Sequence, residues 1–280
     1  MAVLPPWLVI EPLLRQWLTE DWGRGDWTTA SIFPQESPPT QAQLLLKQPG
    51  VVCGLPIVAR IFTLVDPQIH TQALIVEGKS CLAGTVLARL EGPASAILMA
   101  ERVALNILQR LSGIATLTRR YVEALAGTGV FLTDTRKTTP GLRLLEKYAS
   151  RVGGATNHRL GLDDAVLIKD NHLLACGGVT PALRKARAQI PHLMRIEVEC
   201  ETLAQVEEAL AAGADMILLD NMTIPGLEKA VALVARRVPL EASGNVTLEN
   251  LQAIAQTGVD FIATSAPITR APWLDISLDF

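Results

Sequence analysis

Residues 196–221 read IEVECETLAQVEEALAAGADMILLDN. The runs Ile196–Val198 and Met216–Leu219 are short and largely apolar, and Leu203–Ala212 between them carries apolar residues at helical spacing. A strand, a helix and a second strand in this order form a βαβ unit, whose strands lie parallel in one sheet. This stretch therefore predicts an α/β fold.

The same alternation runs through the chain from residue 131. Further strand-like runs lie at Phe131–Thr133, Ala165–Ile168, Pro239–Ala242 and Phe261–Ala263, and helix-like segments such as Leu248–Gln256 lie between the runs. Polar groups follow all six runs, in the order Asp134-Thr135-Arg136-Lys137, Lys169-Asp170-Asn171, Glu199, Asp220-Asn221, Ser243-Gly244-Asn245 and Thr264-Ser265. Active sites of β/α barrels are built from strand C-termini in this way, whereas a doubly wound sheet gathers its polar ends near one switch point. Six strands are fewer than eight, so we expect an incomplete, irregular α/β barrel.

The first third of the chain has a different pattern. Apolar residues at helical spacing predict a helix over 7–20, and a polar, glycine-containing loop is expected over 20–29. Short strand-like runs, separated by Pro and Gly, lie at Ala42–Lys47, Gly50–Cys53 and Thr85–Glu91. Such punctuation is typical of an antiparallel sheet. Residues 94–126 lack proline and predict one or two long helices that lead into the barrel.

Composition excludes several classes of protein. The 280 residues carry 25 Lys+Arg against 28 Asp+Glu, a net charge of -3, which argues against binding of nucleic acid by bulk positive charge. No run reaches the ~18 apolar residues that a membrane span needs, and the N-terminus lacks a basic segment and a clear cleavage site. The four cysteines show no metal-finger spacing and are expected to be reduced thiols in a cytoplasmic protein.

The charges are unevenly distributed. Residues 136–169 hold seven Lys/Arg and three acids, whereas residues 197–220 hold seven acids and no Lys or Arg. Most of these charges are expected on solvated helix faces. Five charged residues, however, flank strands of buried type and should face the mouth of the barrel. These are the cations Arg136, Lys137 and Lys169 and the acids Glu199 and Asp220. A cationic wall opposite a carboxylate pair suits a substrate with several negative groups, and it suits a divalent metal.

A longer motif carries a specific resemblance. Residues 134–143 read DTRKTTPGLR, and NHR at 157–159 and LIKDNH at 167–172 follow. Other matching blocks are ED at 20–21, GD at 25–26, ER at 101–102, LSGIAT at 111–116, EVE at 197–199, LDN at 219–221 and EASG at 241–244. Over nearly the whole chain, and in this order, the sequence closely resembles the quinolinate phosphoribosyltransferase family of NAD biosynthesis.

The resemblance implies a fold, a reaction and an assembly. It implies an N-terminal α/β sandwich domain with a linking helix at 1–112, an incomplete α/β barrel at 113–268, and a C-terminal tail at 269–280 that packs back on the first domain. The implied reaction joins quinolinate to phosphoribosyl pyrophosphate with Mg²⁺ and releases nicotinate mononucleotide, pyrophosphate and carbon dioxide. A homodimer, or a larger assembly of dimers, would complete its sites across the interface.

The resemblance also implies roles for particular residues. Arginine forks bind carboxylates bidentately, a role that fits Arg136, Arg159 and, from the partner subunit, Arg102. The cationic surround is completed by Lys137, His158 and Lys169. Glu199 and Asp220 would stabilise positive charge on the ribose and hold Mg²⁺ directly or indirectly. The expected catalytic set is Lys137, Lys169, Glu199 and Asp220. Further substrate contacts are expected from Thr135, Ser243, Gly244, Asn245, Thr264, Ser265 and Ala266.

Two positions depart from the family pattern, and two other functions stay open. The family commonly has glycine where this chain has Asn245 and Ser265, which places the affinity for phosphoribosyl pyrophosphate in question. One alternative is a related phosphoribosyltransferase-like protein that acts on another acceptor, as in molybdenum-transport contexts. The other is a non-catalytic anion-binding module. The intact cationic set argues against the first alternative, and retention of Glu199 and Asp220 argues against the second.

Overall fold

The computed structural model describes residues 2–33 and 37–280. Its helices are α1 (Trp7–Trp22), α2 (Trp27–Ile32), α3 (Leu55–Val65), α4 (Ala94–Ala124), α5 (Arg143–Gly153), α6 (Asp170–Cys176), α7 (Val179–Gln189), α8 (Leu203–Ala211), α9 (Ile224–Val234), α10 (Leu251–Gln256) and α11 (Ala266–Thr269). Its strands are β1 (Pro39–Leu46), β2 (Gly50–Val51), β3 (His70–Ala73), β4 (Ser80–Cys81), β5 (Val86–Pro93), β6 (Phe131–Thr133), β7 (Val166–Ile168), β8 (Ile196–Cys200), β9 (Met216–Asp220), β10 (Leu240–Ser243), β11 (Phe261–Ala263) and β12 (Ile276–Asp279).

The chain divides into two compact units. The first comprises residues 1–119, 139–154 and 271–280, and the second comprises 120–138 and 155–270. These bounds differ from the expected domain limits of 112 and 268, because residues 139–154 group with the first unit. One reason is that Glu146 on α5, which is fully buried, accepts hydrogen bonds from Arg110 on α4.

The first unit is built on an antiparallel sheet with strand order β12-β1-β5-β3. The C-terminal strand β12 pairs with β1, for example Leu44 with Leu278. The inward positions of β1 alternate with exposed ones, which buries Ala42, Leu44 and Leu46. Expected strands over 42–47, 50–53 and 85–91 are present as β1, β2 and β5.

One expectation for the first unit needs correction. The polar segment over 20–29 is not all loop, because α1 continues to Trp22 and Trp27 begins α2. The side chain of Asp26 caps α2 by accepting the backbone N–H of Thr29, so a local capping bond stabilises a helix within a polar stretch. Residues 94–124 form one continuous helix, α4.

The second unit is an α/β barrel-like domain. Within the described part of the chain, its sheet has six parallel strands in the order β6-β11-β10-β9-β8-β7. An isolated bridge joins Thr133, at the end of β6, to Thr156. The strands β6 and β7 are the two edges of this sheet, as expected for an incomplete barrel. The predicted α/β fold, with an N-terminal sheet domain and a C-terminal parallel sheet, is confirmed.

Candidate active site

One cavity of about 770 Å³ lies at the C-terminal ends of the parallel strands. It is lined by the expected site residues of the second unit, namely Thr135, Arg136, Lys137, His158, Arg159, Lys169, Glu199, Asp220, Ser243, Gly244, Asn245, Thr264, Ser265 and Ala266. The parallel arrangement explains this convergence, because it brings all the C-terminal ends to one side of the sheet. Arg102 lies on α4 in the first unit, with 59% of its side chain exposed.

Two arginines give the cavity wall unmet hydrogen-bonding capacity. The Nε atoms of Arg136 and Arg159 are buried and have no hydrogen-bond partner among the described residues. Nη1 of Arg159 donates to the carbonyl of Ala165 at 2.8 Å, which fixes the direction of this side chain. Burial, and then the positive charge of Arg136, lower the pKa of Arg159. The two guanidinium groups therefore repel each other, and a bound anion would relieve this repulsion.

A lysine and a carboxylate from neighbouring strands meet in the same cavity. Nζ of Lys169, directly after β7, donates to Oε2 of Glu199 on β8 at 2.6 Å. Glu199 is buried, whereas Lys169 is about half exposed. His172 supports the turn after β7, because its Nδ1 accepts the backbone N–H of Lys169 at 2.9 Å. The Lys169–Glu199 ion pair therefore joins the cation-rich segment, residues 136–169, to the acid-rich segment, residues 197–220.

Three amide side chains and a glycine form a hydrogen-bonded network that begins at Asp220. Nδ2 of Asn221 donates to Oδ2 of Asp220 at 2.6 Å, and Nδ2 of Asn245 donates to Oδ1 of Asn221 at 3.1 Å. Asn250 in turn donates to the carbonyl of Asn245 at 2.9 Å. A Cβ on Gly244 would lie 2.2 Å from Oδ1 of Asn221, so the network requires glycine at that position. The amides hold one oxygen of the Asp220 carboxylate.

The two departures from the family pattern have backbone conformations that their residue types accept. Asn245 has a φ of 50°, in the left-handed region that asparagine tolerates better than most residues. Ser265 has a φ of -86°, which any residue adopts. Neither replacement of glycine therefore strains the loops that line the cavity.

A second group of acids lies deeper in the barrel. Nε2 of His158 lies 2.9 Å from Oε2 of Glu197 on β8 and 3.4 Å from Oε2 of Glu241 on β10. Glu241 is fully buried and Glu197 is 7% exposed. The hydroxyl of Thr133 donates to the other oxygen of Glu241. We refer to Thr133, His158, Glu197 and Glu241 as the inner cluster.

Opposing effects act on protonation in the inner cluster. Burial disfavours a charged His158, whereas the neighbouring carboxylates of Glu197 and Glu241 favour the charged form. Burial raises the pKa of Glu197 to about 7, against the hydrogen bond of His158. The backbone N–H of Arg159, however, donates to Nδ1 of His158 at 2.8 Å and excludes a proton from that nitrogen. Because this is a direct contact, we assign the ring proton to Nε2, directed at Glu197.

The fold and the cavity define a class of protein. A parallel α/β barrel whose cavity holds two arginines with buried Nε atoms that lack a partner among the described residues, beside carboxylates at the strand ends, is an anion-binding barrel.

Comparison with known proteins assigns the chain to a family. Residues 26–112 match the N-terminal domain model of quinolinate phosphoribosyl transferase, and residues 114–279 match the C-terminal domain model. A probable nicotinate-nucleotide pyrophosphorylase [carboxylating] of Synechocystis sp. is 54% identical over 99% of this chain and 95% of that protein. Its human counterpart is 39% identical over 99% of this chain and 94% of that protein. The crystal structure of NadC from Streptococcus pyogenes, 40% identical, superposes with a TM-score of 0.95 and covers 99% of this chain and 98% of that one. The chain belongs to the quinolinate phosphoribosyltransferase family.

Sequence reasoning missed several groups at or below the cavity. Asn221 was seen only as a strand end, and Glu197 and Glu241 were seen only as parts of matching blocks. A detectable signal existed for both acids, because each carries a charge between apolar neighbours in a strand. No sequence signal predicts that His158, from a separate loop, reaches both of them.

Proposed function

We propose that this chain transfers the phosphoribosyl group of phosphoribosyl pyrophosphate to quinolinate with decarboxylation. The products are nicotinate mononucleotide, pyrophosphate and carbon dioxide, and the reaction serves NAD biosynthesis. The observation that carries the proposal is the pair of buried, unpartnered Nε atoms of Arg136 and Arg159 in the cavity wall. Two guanidinium groups suit a pyridine with two carboxylates, because each fork binds a carboxylate bidentately. Membership of the family supports the same reaction.

The bound dicarboxylate would lie among several cations. Arg136 and Arg159 bind its carboxylates, and Arg102 of the partner subunit adds a third guanidinium. Lys137 and Lys169 complete the positive surround, and His158 forms part of the same wall. The ring nitrogen of quinolinate then attacks the anomeric carbon as pyrophosphate leaves.

The acids serve the ribose side of the reaction. Positive charge develops on the ribose as the bond to pyrophosphate breaks, by analogy with glycoside cleavage. Glu199 and Asp220 stabilise that charge and orient ribose hydroxyls. Lys169 holds Oε2 of Glu199, and Asn221 holds Oδ2 of Asp220, so each carboxylate is oriented before substrate arrives.

The same carboxylates fit Mg²⁺. Magnesium in proteins is commonly bound through one or two carboxylates together with substrate phosphates. Glu199 and Asp220 supply such oxygens at one cavity wall, directly or through water. Bound Mg²⁺ supplies positive charge that stabilises the departing pyrophosphate. Thr135, Ser243, Gly244, Asn245, Thr264, Ser265 and Ala266 offer backbone and hydroxyl groups to the phosphates.

A turnover assay tests the proposal. The protein is incubated with quinolinate, phosphoribosyl pyrophosphate and Mg²⁺, and nicotinate mononucleotide and carbon dioxide are measured. Parallel reactions replace quinolinate by nicotinic acid or omit Mg²⁺. We expect both products in equal amounts with quinolinate only. Folded protein that is inactive with quinolinate and active with nicotinic acid would refute the proposal in favour of another acceptor.

The assembly is proposed to be a homodimer, or a larger assembly of dimers, with shared sites. Arg102, exposed on α4, then serves the cavity of the partner. Mixing Arg102→Ala and Lys169→Ala subunits, each inactive alone, tests this arrangement. Mixed dimers should regain activity, because one of their two cavities is intact. Absence of any recovery after verified subunit exchange would contradict the shared site.

The place of action is proposed to be the cytoplasm. The four cysteines are unpaired thiols, and three of them are buried, as is usual in a reducing compartment. Separately, no helix in residues 2–33 and 37–280 combines the length and apolar character needed to cross a membrane.

A further inference from the structure

The inner cluster occupies a layer of the barrel below the cavity. Side chains alternate along a strand, so Glu197 and Glu199 lie on the same face of β8, about 6.6 Å apart along it. Glu199 lines the cavity, whereas neither Glu197 nor Glu241 is among the described lining residues. His158 belongs to both layers, because it lines the cavity and its Nε2 contacts both acids.

Two acids at these positions carry a cost that an apolar residue would avoid. A buried carboxylate must be paired and hydrogen-bonded, and replacing a buried ion pair by apolar side chains is often neutral or stabilising. Oε1 of Glu197 is nevertheless buried without a hydrogen-bond partner among the described residues. Packing alone therefore does not explain why β8 and β10 carry acids in their middles.

The geometry connects the acids to a substrate-binding arginine. Nε2 of His158 meets Glu197, and Nδ1 of the same ring accepts the backbone N–H of Arg159 at 2.8 Å. The backbone N–H of His158 donates to Oδ1 of Asp134 at 2.9 Å, which anchors the segment from its other side. Both nitrogens of the imidazole are thus engaged by protein groups, and the ring links the inner acids to the Arg159 main chain.

We infer that Glu197 and Glu241 are positioning residues that act through His158 to hold Arg159 in place for a pyridine dicarboxylate. The inference rests on the proposed function for its choice of substrate. Glu197 fixes the orientation of the imidazole by accepting the Nε2 proton. Glu241, itself held by Thr133, lies 3.4 Å from the same Nε2 and limits movement of the ring towards β10. The fixed ring then orients the segment that presents Arg159, whose buried Nε has no partner in the described part of the chain.

An alternative occupant of the cluster is a divalent metal ion. One ligand atom from each of His158, Glu197 and Glu241 lies within 4.8 Å of the others. The 2.9 Å separation of Nε2 and Oε2 is a normal hydrogen-bond length, which favours direct contact. Metal analysis of the purified, dialysed protein distinguishes a bound metal ion from direct contact between His158 and the acids. A metal ion present in stoichiometric amount in wild type and absent from Glu241→Gln would overturn our inference.

Kinetics of matched variants provide the first test. Glu197→Leu removes the acceptor while keeping most of the volume, and Glu197→Gln keeps an oxygen that can accept the Nε2 proton. We expect KM for quinolinate to rise about tenfold in Glu197→Leu and Glu241→Leu, with KM for phosphoribosyl pyrophosphate within about twofold of wild type. Glu197→Gln should recover most of the loss. Glu77→Gln, which alters a buried acid of the first unit, controls for general loss of packing. Equal rises in both KM values, or no recovery in Glu197→Gln, would overturn the inference.

A spectroscopic test does not depend on turnover. The chain has four histidines, so ¹⁵N-histidine spectra are simple, and His158→Gln identifies the His158 signals. We expect wild type to show a protonated Nε2 and an unprotonated Nδ1 for His158, and Glu197→Leu to lose this single tautomer. An unchanged tautomer in Glu197→Leu would refute positioning by Glu197. If wild type failed to use quinolinate, the proposed function would be refuted. The spectra would still show whether Glu197 fixes the orientation of the His158 ring.

Discussion

Nζ of Lys169 lies 2.6 Å from Oε2 of Glu199, and the two residues belong to the neighbouring strand ends of β7 and β8. Glu199 is buried, so loss of Lys169 leaves a buried carboxylate without its cation. The pair therefore acts as a unit within the cavity, and the effects of removing each member should overlap.

A double-mutant cycle measures this coupling. Lys169→Ala and Glu199→Ala should each lower kcat by about a hundredfold or more, and the double variant should lose far less than the product of the two. Lys47→Ala, which breaks the exposed pair with Asp279 in the first unit, should change kcat by less than about twofold. Strictly multiplicative losses in the Lys169–Glu199 cycle would show that the two residues act independently.

Arg136 should discriminate between the two substrates. Its buried Nε lacks a partner among the residues that the structure describes, so a carboxylate of quinolinate is the expected acceptor. Arg136→Ala should weaken quinolinate binding about tenfold to a hundredfold in calorimetry, with much less effect on phosphoribosyl pyrophosphate. Arg184→Ala, at an exposed position of α7, serves as the control. An equal loss of affinity for both substrates would contradict the assignment of Arg136 to the dicarboxylate.

Gly244 should be required for the amide network around Asp220. In Gly244→Ala the new Cβ would meet Oδ1 of Asn221 at 2.2 Å, and the φ of 96° already disfavours a side chain. We expect about 2–3 kcal/mol lower stability in urea denaturation and a KM for phosphoribosyl pyrophosphate at least about tenfold higher.

Gly213→Ala is the matched control for this variant. Gly213 has a φ of 83° but nothing within 4 Å of the added Cβ, so it reports backbone strain alone. Its stability should fall by only about 1 kcal/mol, with KM unchanged. If Gly244→Ala and Gly213→Ala lost the same stability and had the same KM for phosphoribosyl pyrophosphate, the amide network would have no role in binding that substrate.

The sequence predicted most of the barrel because its signals are local. Each strand is a short apolar run that ends in a polar group, and parallel pairing then brings residues as distant as Arg136 and Thr264 to one cavity. The helix α3 was missed since its short apolar segment, Leu55–Val65, follows a Gly and offers no side-chain cap. Apolar runs of this length do not distinguish helix from strand by periodicity alone.

The inner cluster shows where sequence reasoning stops. The charges of Glu197 and Glu241 inside apolar strands are visible in the sequence. Their contact with His158 depends on the path of the loop after Thr156, which is fixed by tertiary bonds such as that from His158 to Asp134. Contacts between residues 39 and 83 positions apart along the chain follow from the fold, and no spacing rule predicts them.

Glu77 gives the first unit a pH-dependent stability. Its Oε1 accepts the backbone N–H of Gly54, ahead of α3, and the hydroxyl of Tyr148 at 3.0 Å. Oε2 is buried without a partner among the described residues. Burial raises the pKa of Glu77 above its usual 4.5, against the hydrogen bonds from Gly54 and Tyr148. The folded state thus binds the Glu77 proton more tightly than the unfolded state does.

Stability should therefore fall as Glu77 ionises. The contribution of the protonated carboxyl is fully present below about pH 4.5 and is lost as pH rises through the raised folded-state pKa. Glu77→Gln does not titrate and keeps an oxygen that can accept both hydrogen bonds. The free energy of unfolding of Glu77→Gln minus that of wild type should consequently be more positive at about pH 8 than at about pH 5, as measured by urea denaturation. The difference in free energy of unfolding between Glu77→Gln and wild type could instead be constant with pH or change in the opposite direction. Either result would mean that the fold stabilises ionised Glu77 as well as water does.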